Sequence, residues 1–251
     1  CAGLYAPEHE TAWARITDFV HSNSEAKICC QIGHSGRKGS TQLGWEIMDA
    51  PLAYDNWDLV SASAIPWSDE NSTPSEITRE EMKRVKSEFT NSVAMANRAG
   101  FDMIELHAAH GYLISSFISP VSNQRIDEYG GAFENRMRFP LEVFEAMRAA
   151  WPQDKPLSVR ISASDWLGEA GVTPEESVRI SKAFCKLMAP SYNALPEITP
   201  FSLAPQLFNA IRSSSFDTPP DAIIGIDTSL ANFAVALTLG PCIAPSLFMS
   251  V

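Results

Sequence analysis

The chain has 251 residues, an apolar fraction of 45% and a formal net charge of −11 at pH 7. The length suits one large domain or two small ones, and the composition is ordinary for a globular protein. An acidic chain is a poor nonspecific binder of nucleic acid, and no run of about 18 apolar residues is present to span a membrane.

The cysteines and the first residues bear on the compartment. The chain has five cysteines but no Cys-x-x-Cys pair, which argues against a disulfide framework and against a zinc knuckle. No signal peptide is evident at the start of the sequence. We therefore expect a reducing, cytoplasmic protein.

Strand and helix patterns alternate along the first 186 residues. Apolar spacing predicts a helix over residues 8–22, and a compact apolar run predicts a buried strand over residues 26–32. Residues 42–75 are predicted to form an ordered excursion with Trp45, Trp57 and Trp67 buried. The later predicted elements are a helix over residues 78–98, a strand over 101–106, a helix through Leu141, Phe144 and Met147, a strand over 157–161, and a helix from Thr173 to about Lys186.

The helix over residues 78–98 has the clearest sequence signals. Thr78 and Glu81 fit a capping box, and Gly100 supplies a left-handed stop. Its predicted buried stripe is Met82, Val85, Phe89 and Val93. In the next helix, Pro140 is expected near the beginning, where it costs least. Strict alternation of strands and helices predicts an α/β fold with a parallel sheet, either a barrel or an open doubly wound sheet.

The chemistry is concentrated after the predicted strand over residues 101–106. His107, His110 and Tyr112 handle protons and lie within six residues of one another. Polar groups at the carboxyl ends of parallel strands are where α/β proteins place their active sites. This cluster is therefore the candidate site, with a pair of structural histidines or a metal site as alternatives.

Composition changes at about residue 187. Residues 187–251 contain about five charged residues in 65 and are rich in proline. We predict an anomalous tail and favour a translation in the wrong reading frame or a poorly ordered segment; a divergent domain and a truncated, restructured end are the alternatives.

Four sequence blocks carry a resemblance to a known family. They are Gln31-Ile32-Gly33-His34-Ser35-Gly36-Arg37-Lys38; His107-Ala108-Ala109-His110-Gly111-Tyr112-Leu113; Ser119-Pro120 through Tyr129-Gly130-Gly131 to Glu134-Asn135-Arg136; and Val159-Arg160-Ile161-Ser162-Ala163-Ser164-Asp165. In this order they resemble the old yellow enzyme family of FMN-dependent NAD(P)H oxidoreductases, over about residues 1–186. Within it the chain is most similar to the xenobiotic reductase and ene-reductase branch, and to the reductase half of aminobenzoyl-CoA or salicylyl-CoA monooxygenase/reductases.

The resemblance implies a fold and a cofactor. Residues 1–186 correspond to the middle of an FMN-binding (β/α)₈ TIM barrel, from just before its third strand to the helix after its fifth. The family's first two strands are absent, and the last three, which hold the flavin phosphate, are not recognisable in residues 187–251.

The resemblance also implies roles for three catalytic residues. His107 and His110 would donate hydrogen bonds to a carbonyl or phenolate oxygen, on which negative charge grows as hydride arrives. Tyr112 would give a proton to the substrate α-carbon, because a phenol stays protonated at neutral pH, with a packing residue as its alternative.

Two further residues would bind the flavin. Gln31 would pair with the pyrimidine edge, with a loop-capping amide as its alternative. Arg160 would face N1 and O2, with an ion pair to Glu105 or Asp165 as its alternative. His34, Arg37 and Lys38 either touch flavin or substrate or solvate a loop, and Arg125, Asp127, Asn135 and Arg136 are expected to form a hydrogen-bonded scaffold.

The expected function is transfer of hydride from NAD(P)H, through FMN, to an activated alkene or a dearomatised ring of a small aromatic substrate that is CoA-linked in the nearest resemblance. The alternatives are a non-catalytic fragment unable to hold FMN and a metal-dependent barrel hydrolase. The expected partners are a second copy of the chain or a preceding monooxygenase domain, with no nucleic acid and no membrane.

Overall fold

The computed structural model describes residues 2–43, 45–47, 50–192, 234–239 and 248–250, with side chains up to residue 187. Five α-helices and seven strands lie in these ranges. The helices are α1 Pro7–Asn23, α2 Arg79–Arg98, α3 Leu113–Ile118, α4 Phe133–Ala150 and α5 Pro174–Tyr192. The strands are β1 Lys27–Ile32, β2 Val60–Ser61, β3 Ser75–Glu76, β4 Met103–Ala108, β5 Leu157–Ser162, β6 Ala234–Leu239 and β7 Phe248–Ser250.

The main sheet has the strand order β6-β5-β4-β1-β7. Strand β4 lies between β1 and β5, and both pairings are parallel. Helix α2 connects β1 to β4 and helix α4 connects β4 to β5, so the described residues repeat the strand–helix unit of a (β/α)₈ barrel. The fold is therefore α/β with part of a barrel, as the sequence predicted.

One face of this sheet packs against the helices. Its side chains come from alternate positions of the three central strands, among them Ile28 and Cys30 of β1, Ile104 and Leu106 of β4, and Leu157 and Val159 of β5. They join one core with Val85, Phe89, Phe144 and Trp151 from the helices. Because successive strand residues point to opposite faces, the residues between them lie on the other face.

The predicted signals of α2 are confirmed. Thr78 accepts a hydrogen bond from the Glu81 backbone, and the Glu81 carboxylate accepts one from the Thr78 backbone, which completes the capping box. The stripe Met82, Val85, Phe89 and Val93 is buried. Gly100 has a φ of 88°, in the left-handed region that a glycine stop requires.

Several predicted boundaries are wrong. Strand β4 begins at Met103 and ends at Ala108, so His107 lies within the strand rather than after it. Pro140 lies inside α4, which already begins at Phe133. Helix α5 continues to Tyr192, beyond the predicted end near Lys186.

The prediction that three tryptophans fill the core is also wrong. Trp45 is 81% exposed, Trp57 56% and Trp67 36%. Their segment instead contains the short parallel strands β2 and β3, whose backbone groups are satisfied between residues 59–61 and 75–77.

The predicted tail lies mostly outside the described residues. Two of its strands are described: β6 pairs with β5 antiparallel, and β7 pairs with β1 parallel. An antiparallel β6 differs from the all-parallel pairing of a (β/α)₈ barrel. Among the described residues, no helix is long and apolar enough to cross a membrane.

Candidate active site

Three aromatic side chains meet where β4 ends. The rings of His107 and His110 are 5.0 Å apart between centroids, and those of His107 and Tyr112 are 4.8 Å apart. Nε2 of His107 lies 3.2 Å from Nδ1 of His110. The structure therefore brings together the three residues that the sequence singled out.

The backbone between these side chains turns sharply. His110 and Gly111 have φ values of 61° and 74°, and a non-glycine residue in the left-handed region is strained. The turn is held by the His110 N–H, which donates to Ser162 Oγ at 3.0 Å, and by the Gly111 N–H, which donates to Ser115 Oγ at 3.2 Å. The Tyr112 carbonyl then accepts from Ser116 N, which starts the buried helix α3.

Burial fixes the charge state of His107. The side chain is buried, and its pKa is lowered from 6.5 to about 3 by burial first and then by the positive charges of His110, Arg160 and Lys38. The Ala109 N–H donates to Nδ1 of His107 at 3.2 Å. His107 is therefore a neutral imidazole with its proton on Nε2, the nitrogen that faces His110.

A second polar group lies beside the histidines on the same face of the sheet. His107 is the register partner of Arg160 on β5, and Gln31 on β1 is the register partner of Glu105 on β4. Glu105 Oε1 accepts from Gln31 Nε2 at 2.7 Å and from Arg160 Nε at 2.9 Å. The ion pair that the sequence left open for Arg160 is therefore made with Glu105, and Arg160 still lies next to His107.

Residues of the loop after β1 close one side of the site. Lys38 Nζ lies 3.9 Å from the Trp67 ring centroid and 5.4 Å from that of Tyr112, and it donates to the His110 carbonyl at 3.3 Å. The buried Arg37 donates to the carbonyls of Ile65 and Pro66 at 3.3 and 3.2 Å. Arg37 therefore secures the Trp67 loop, whereas Lys38 reaches the site.

The predicted scaffold is confirmed in the loop between α3 and α4. Arg125 donates to Asp127 and to the carbonyls of Ala62 and Ile77. Arg136 donates to the carbonyls of Ile118 and Gly131 and to Glu176. Asn135 donates to the Gly130 carbonyl at 3.1 Å. This network joins α4 and α5 to the loop that follows the site.

The described residues suit the pyrimidine end of a flavin. Gln31 is exposed on the polar face of the sheet, its amide NH₂ is held by Glu105, and its carbonyl oxygen is left to accept a hydrogen bond. Arg160 uses Nε for Glu105 and retains its terminal NH₂ groups. Within the described ranges, no three His, Cys, Asp or Glu side chains are grouped to hold a metal ion.

Fold and site together match the class of flavin-dependent (β/α)₈-barrel oxidoreductases. The model of the NADH:flavin oxidoreductase / NADH oxidase family matches residues 1–201, and the chain belongs to this family. The resemblance to old yellow enzymes is thereby confirmed, and with it FMN as the family's cofactor and NAD(P)H as its hydride donor.

Relatives and solved structures agree with this membership. The chain is 44% identical over 179 residues to an NADPH dehydrogenase of Clostridium acetobutylicum, covering 71% of the chain and 48% of the relative. It is 46% identical over 169 residues to an NADH:flavin oxidoreductase of Gibberella zeae, covering 65% and 41%. The chain thus spans about half the length of the curated relatives it matches.

Two solved structures share the fold. A 2-naphthoyl-CoA reductase in complex with 2-naphthoyl-CoA superimposes with a TM-score of 0.62 at 28% identity, over 74% of this chain and 28% of the other. Morphinone reductase in complex with tetrahydroNAD also gives 0.62, at 25% identity, over 75% and 53%.

Sequence reasoning missed two features of the site. Glu105 was considered only as a partner for Arg160, although an acid two residues before His107 on a buried strand must face the same side. The stacking of Lys38 on Trp67 was also missed, because no local pattern links residues that far apart in the chain.

Proposed function

We propose that this chain is the catalytic part of an FMN-dependent NAD(P)H oxidoreductase that reduces an activated C=C bond or a dearomatised ring of an aromatic substrate. The observation that carries the proposal is the convergence of His110 and Tyr112 on His107, which lies beside Arg160 on one face of the parallel sheet. FMN, when bound, supplies the hydride that it has received from NAD(P)H. The remaining chemistry belongs to side chains of this chain.

His107 and His110 hold the substrate oxygen. Their facing nitrogens are 3.2 Å apart, so an oxygen bound beside both receives a hydrogen bond from each once the proton of His110 lies on Nδ1. Donors fixed in advance stabilise the negative charge that grows on that oxygen in the transition state. Because His107 is neutral, it donates a hydrogen bond without losing its proton.

Tyr112 supplies a proton to the substrate carbon. It follows the strained His110–Gly111 turn and lies at the start of α3, so its backbone is fixed at both sides. Its ring contacts the His107 ring. A substrate whose oxygen contacts His107 therefore lies close to the Tyr112 ring.

The substrate class is aromatic and CoA-linked. Support comes from the matched 2-naphthoyl-CoA reductase, whose structure contains an aromatic CoA thioester, and from the cations Lys38 and Arg160 beside the site.

We further propose a cytoplasmic location, which suits the free thiols of the three described cysteines, Cys29, Cys30 and Cys185. A second copy of the chain or a preceding monooxygenase domain are the proposed partners.

The test is purification of the 251-residue chain after expression with excess riboflavin. The proposal expects FMN to co-purify and to be reduced by NAD(P)H, then reoxidised by an α,β-unsaturated carbonyl compound or an aromatic CoA thioester under anaerobic conditions. The alternative, a fragment unable to hold FMN, expects a colourless folded protein with no flavin after acid extraction.

A further inference from the structure

Glu105 is a buried carboxylate that connects three strands. It lies in the middle of β4 and is 6% exposed. Oε1 accepts hydrogen bonds from Gln31 on β1 and Arg160 on β5, and Oε2 accepts one from Ser158 Oγ on β5 at 3.0 Å. Its two oxygens therefore serve three donors.

These contacts follow from the sheet register. Gln31 and Ser158 are the direct neighbours of Glu105 on the two sides, and Arg160 is the neighbour of His107. All of them lie on the face opposite the helix-packed core, because each pair is in register and residues two apart on a strand share a face. The carboxylate thus lies between the two groups predicted to bind the flavin.

Stability alone is a weak reason for this arrangement. Arg160 and Glu105 have side-chain exposures of 17% and 8%, and replacing a buried ion pair by apolar residues is often neutral or stabilising. A buried carboxylate with three donors makes more sense if it sets the orientation of those donors.

The carboxylate constrains Gln31 and Arg160 in different ways. An ionised carboxylate only accepts hydrogen bonds, so the Gln31 amide must turn its NH₂ towards Glu105 and present its carbonyl oxygen elsewhere. Holding Arg160 by Nε fixes the plane of the guanidinium and leaves its terminal NH₂ groups to donate to another acceptor. The negative charge of Glu105 also offsets part of the positive electrostatic potential of Arg160.

We propose that Glu105 is a positioning residue that makes Gln31 a hydrogen-bond acceptor, aims Arg160 and balances its charge, and thereby sets both the affinity and the reduction potential of the flavin. This inference rests on the proposed function. The Gln31 carbonyl then takes the ring N–H of the pyrimidine edge, and Arg160 faces the adjacent ring atoms that become more negative on reduction.

Two substitutions separate the reach of Glu105 from its charge. Glu105→Gln keeps the length of the side chain and removes its charge. The positive charge of Arg160 is then no longer offset, so the site binds reduced FMN more tightly relative to oxidised FMN. Glu105→Asp keeps the charge but is one CH₂ shorter, so it cannot hold Gln31 and Arg160 together. Glu142→Gln is the matched control, because Glu142 accepts from the Tyr129 hydroxyl outside the site.

The measurement is the dissociation constant of oxidised and of reduced FMN, by anaerobic titration of the full chain, together with the midpoint potential. For Glu105→Gln we expect the ratio of oxidised to reduced dissociation constants to rise about tenfold, which for a two-electron couple is a positive shift of about 30 mV. For Glu105→Asp we expect both constants to rise about tenfold with the ratio unchanged, and for Glu142→Gln no change.

The outcomes distinguish this inference from the proposed function. If the unsubstituted chain does not bind FMN, both fail. If it binds FMN but Glu105→Gln leaves the ratio and the potential unchanged, only the role of Glu105 is overturned. If Glu105 had a purely structural role, Glu105→Gln would lower the affinities for oxidised and for reduced FMN equally. Should Glu105→Gln not fold, unchanged affinities in Glu105→Asp would equally overturn the proposal.

Discussion

Nε2 of His107 lies 3.2 Å from Nδ1 of His110, and the other ring nitrogen of His107 accepts a hydrogen bond from the Ala109 N–H. His107 therefore donates and Nδ1 of His110 accepts. For both rings to donate to one substrate oxygen, His110 must carry a proton on Nδ1 instead. Binding of an anionic oxygen is consequently coupled to a proton shift on His110.

The first prediction concerns this oxygen contact. His110→Phe removes one donor and should weaken binding of a para-substituted phenolate about 10- to 100-fold, because hydrogen bonds to charged groups contribute about 1.5–3 kcal/mol. His110→Asn keeps an N–H donor and should retain most of the affinity. Calorimetric titration measures both. His21→Asn, at a surface pair with Asp102, is the control, and equal affinities for all three variants would contradict the oxygen-binding role.

The second prediction concerns Tyr112. Tyr112→Phe removes the proton donor and should slow reoxidation of the reduced enzyme by an alkene about 10²- to 10⁴-fold, while reduction by NAD(P)H is unchanged. Stopped-flow measurement of the two half-reactions separates these effects. Tyr129→Phe is the matched control, since the Tyr129 hydroxyl donates to Glu142 away from the site. Undiminished reoxidation in Tyr112→Phe would remove Tyr112 from the mechanism.

The third prediction is a dependence of stability on pH. The pKa of His107 falls from 6.5 to about 3 in the folded chain, chiefly through burial. Between these pH values His107 is protonated in the unfolded chain and neutral in the folded chain. The free energy of unfolding therefore decreases as pH falls from 6.5 towards 3.

His107→Asn removes this titration. Between pH 7 and pH 4.5 the free energy of unfolding should therefore fall less in His107→Asn than in the unsubstituted chain, by on the order of 2 kcal/mol. Urea unfolding at the two pH values measures the difference. Identical pH dependence in both proteins would mean that folding does not lower the pKa of His107.

Much of the fold could be predicted from periodicity and capping. Helix α2 shows both, with a capping box at Thr78 and a buried stripe that the structure confirms. The strands β2 and β3 and the six-residue helix α3 were missed because such short elements contain less than two repeats of any pattern. The exposed tryptophans were misplaced because large apolar residues are only buried on average.

The sequence predicted which residues of the candidate site lie close together along the chain, but not which contacts they make across the sheet. The spacing of His107, His110 and Tyr112 is local, so the sequence itself brings them close. The pairing of Gln31 with Glu105 joins residues 74 positions apart, and it depends on strand register. Alternation along β4 already places Glu105 and His107 on one face, but only the parallel register adds Gln31 and Arg160 to it.

The fourth prediction compares two phenylalanines in helices. Phe89 in α2 is 3% exposed and Phe19 in α1 is 68% exposed. Phe89→Ala should lower the free energy of unfolding by about 3–5 kcal/mol, since it removes a ring from a packed core. Phe19→Ala should change it by no more than about 0.5 kcal/mol. Denaturant unfolding of both variants checks this, and comparable losses would mean that the described core is incorrect.

The fifth prediction concerns the backbone that places Tyr112. Gly111 has a φ of 74°, and a Cβ there would lie 2.5 Å from the Trp67 ring. Gly111→Ala should therefore add both backbone strain and a clash, displace the indole from Lys38 and lower activity as well as stability, by about 1–3 kcal/mol for the clash alone.

Gly131 provides a control for the strain at Gly111. Its φ is 76°, but a Cβ there meets nothing within 4 Å. Gly131→Ala should cost only about 1–2 kcal/mol of left-handed strain and leave Trp67 in place. Tryptophan fluorescence and urea unfolding of the two variants distinguish strain from clash. If Gly111→Ala behaves like Gly131→Ala in both measurements, Trp67 does not pack against the turn in solution.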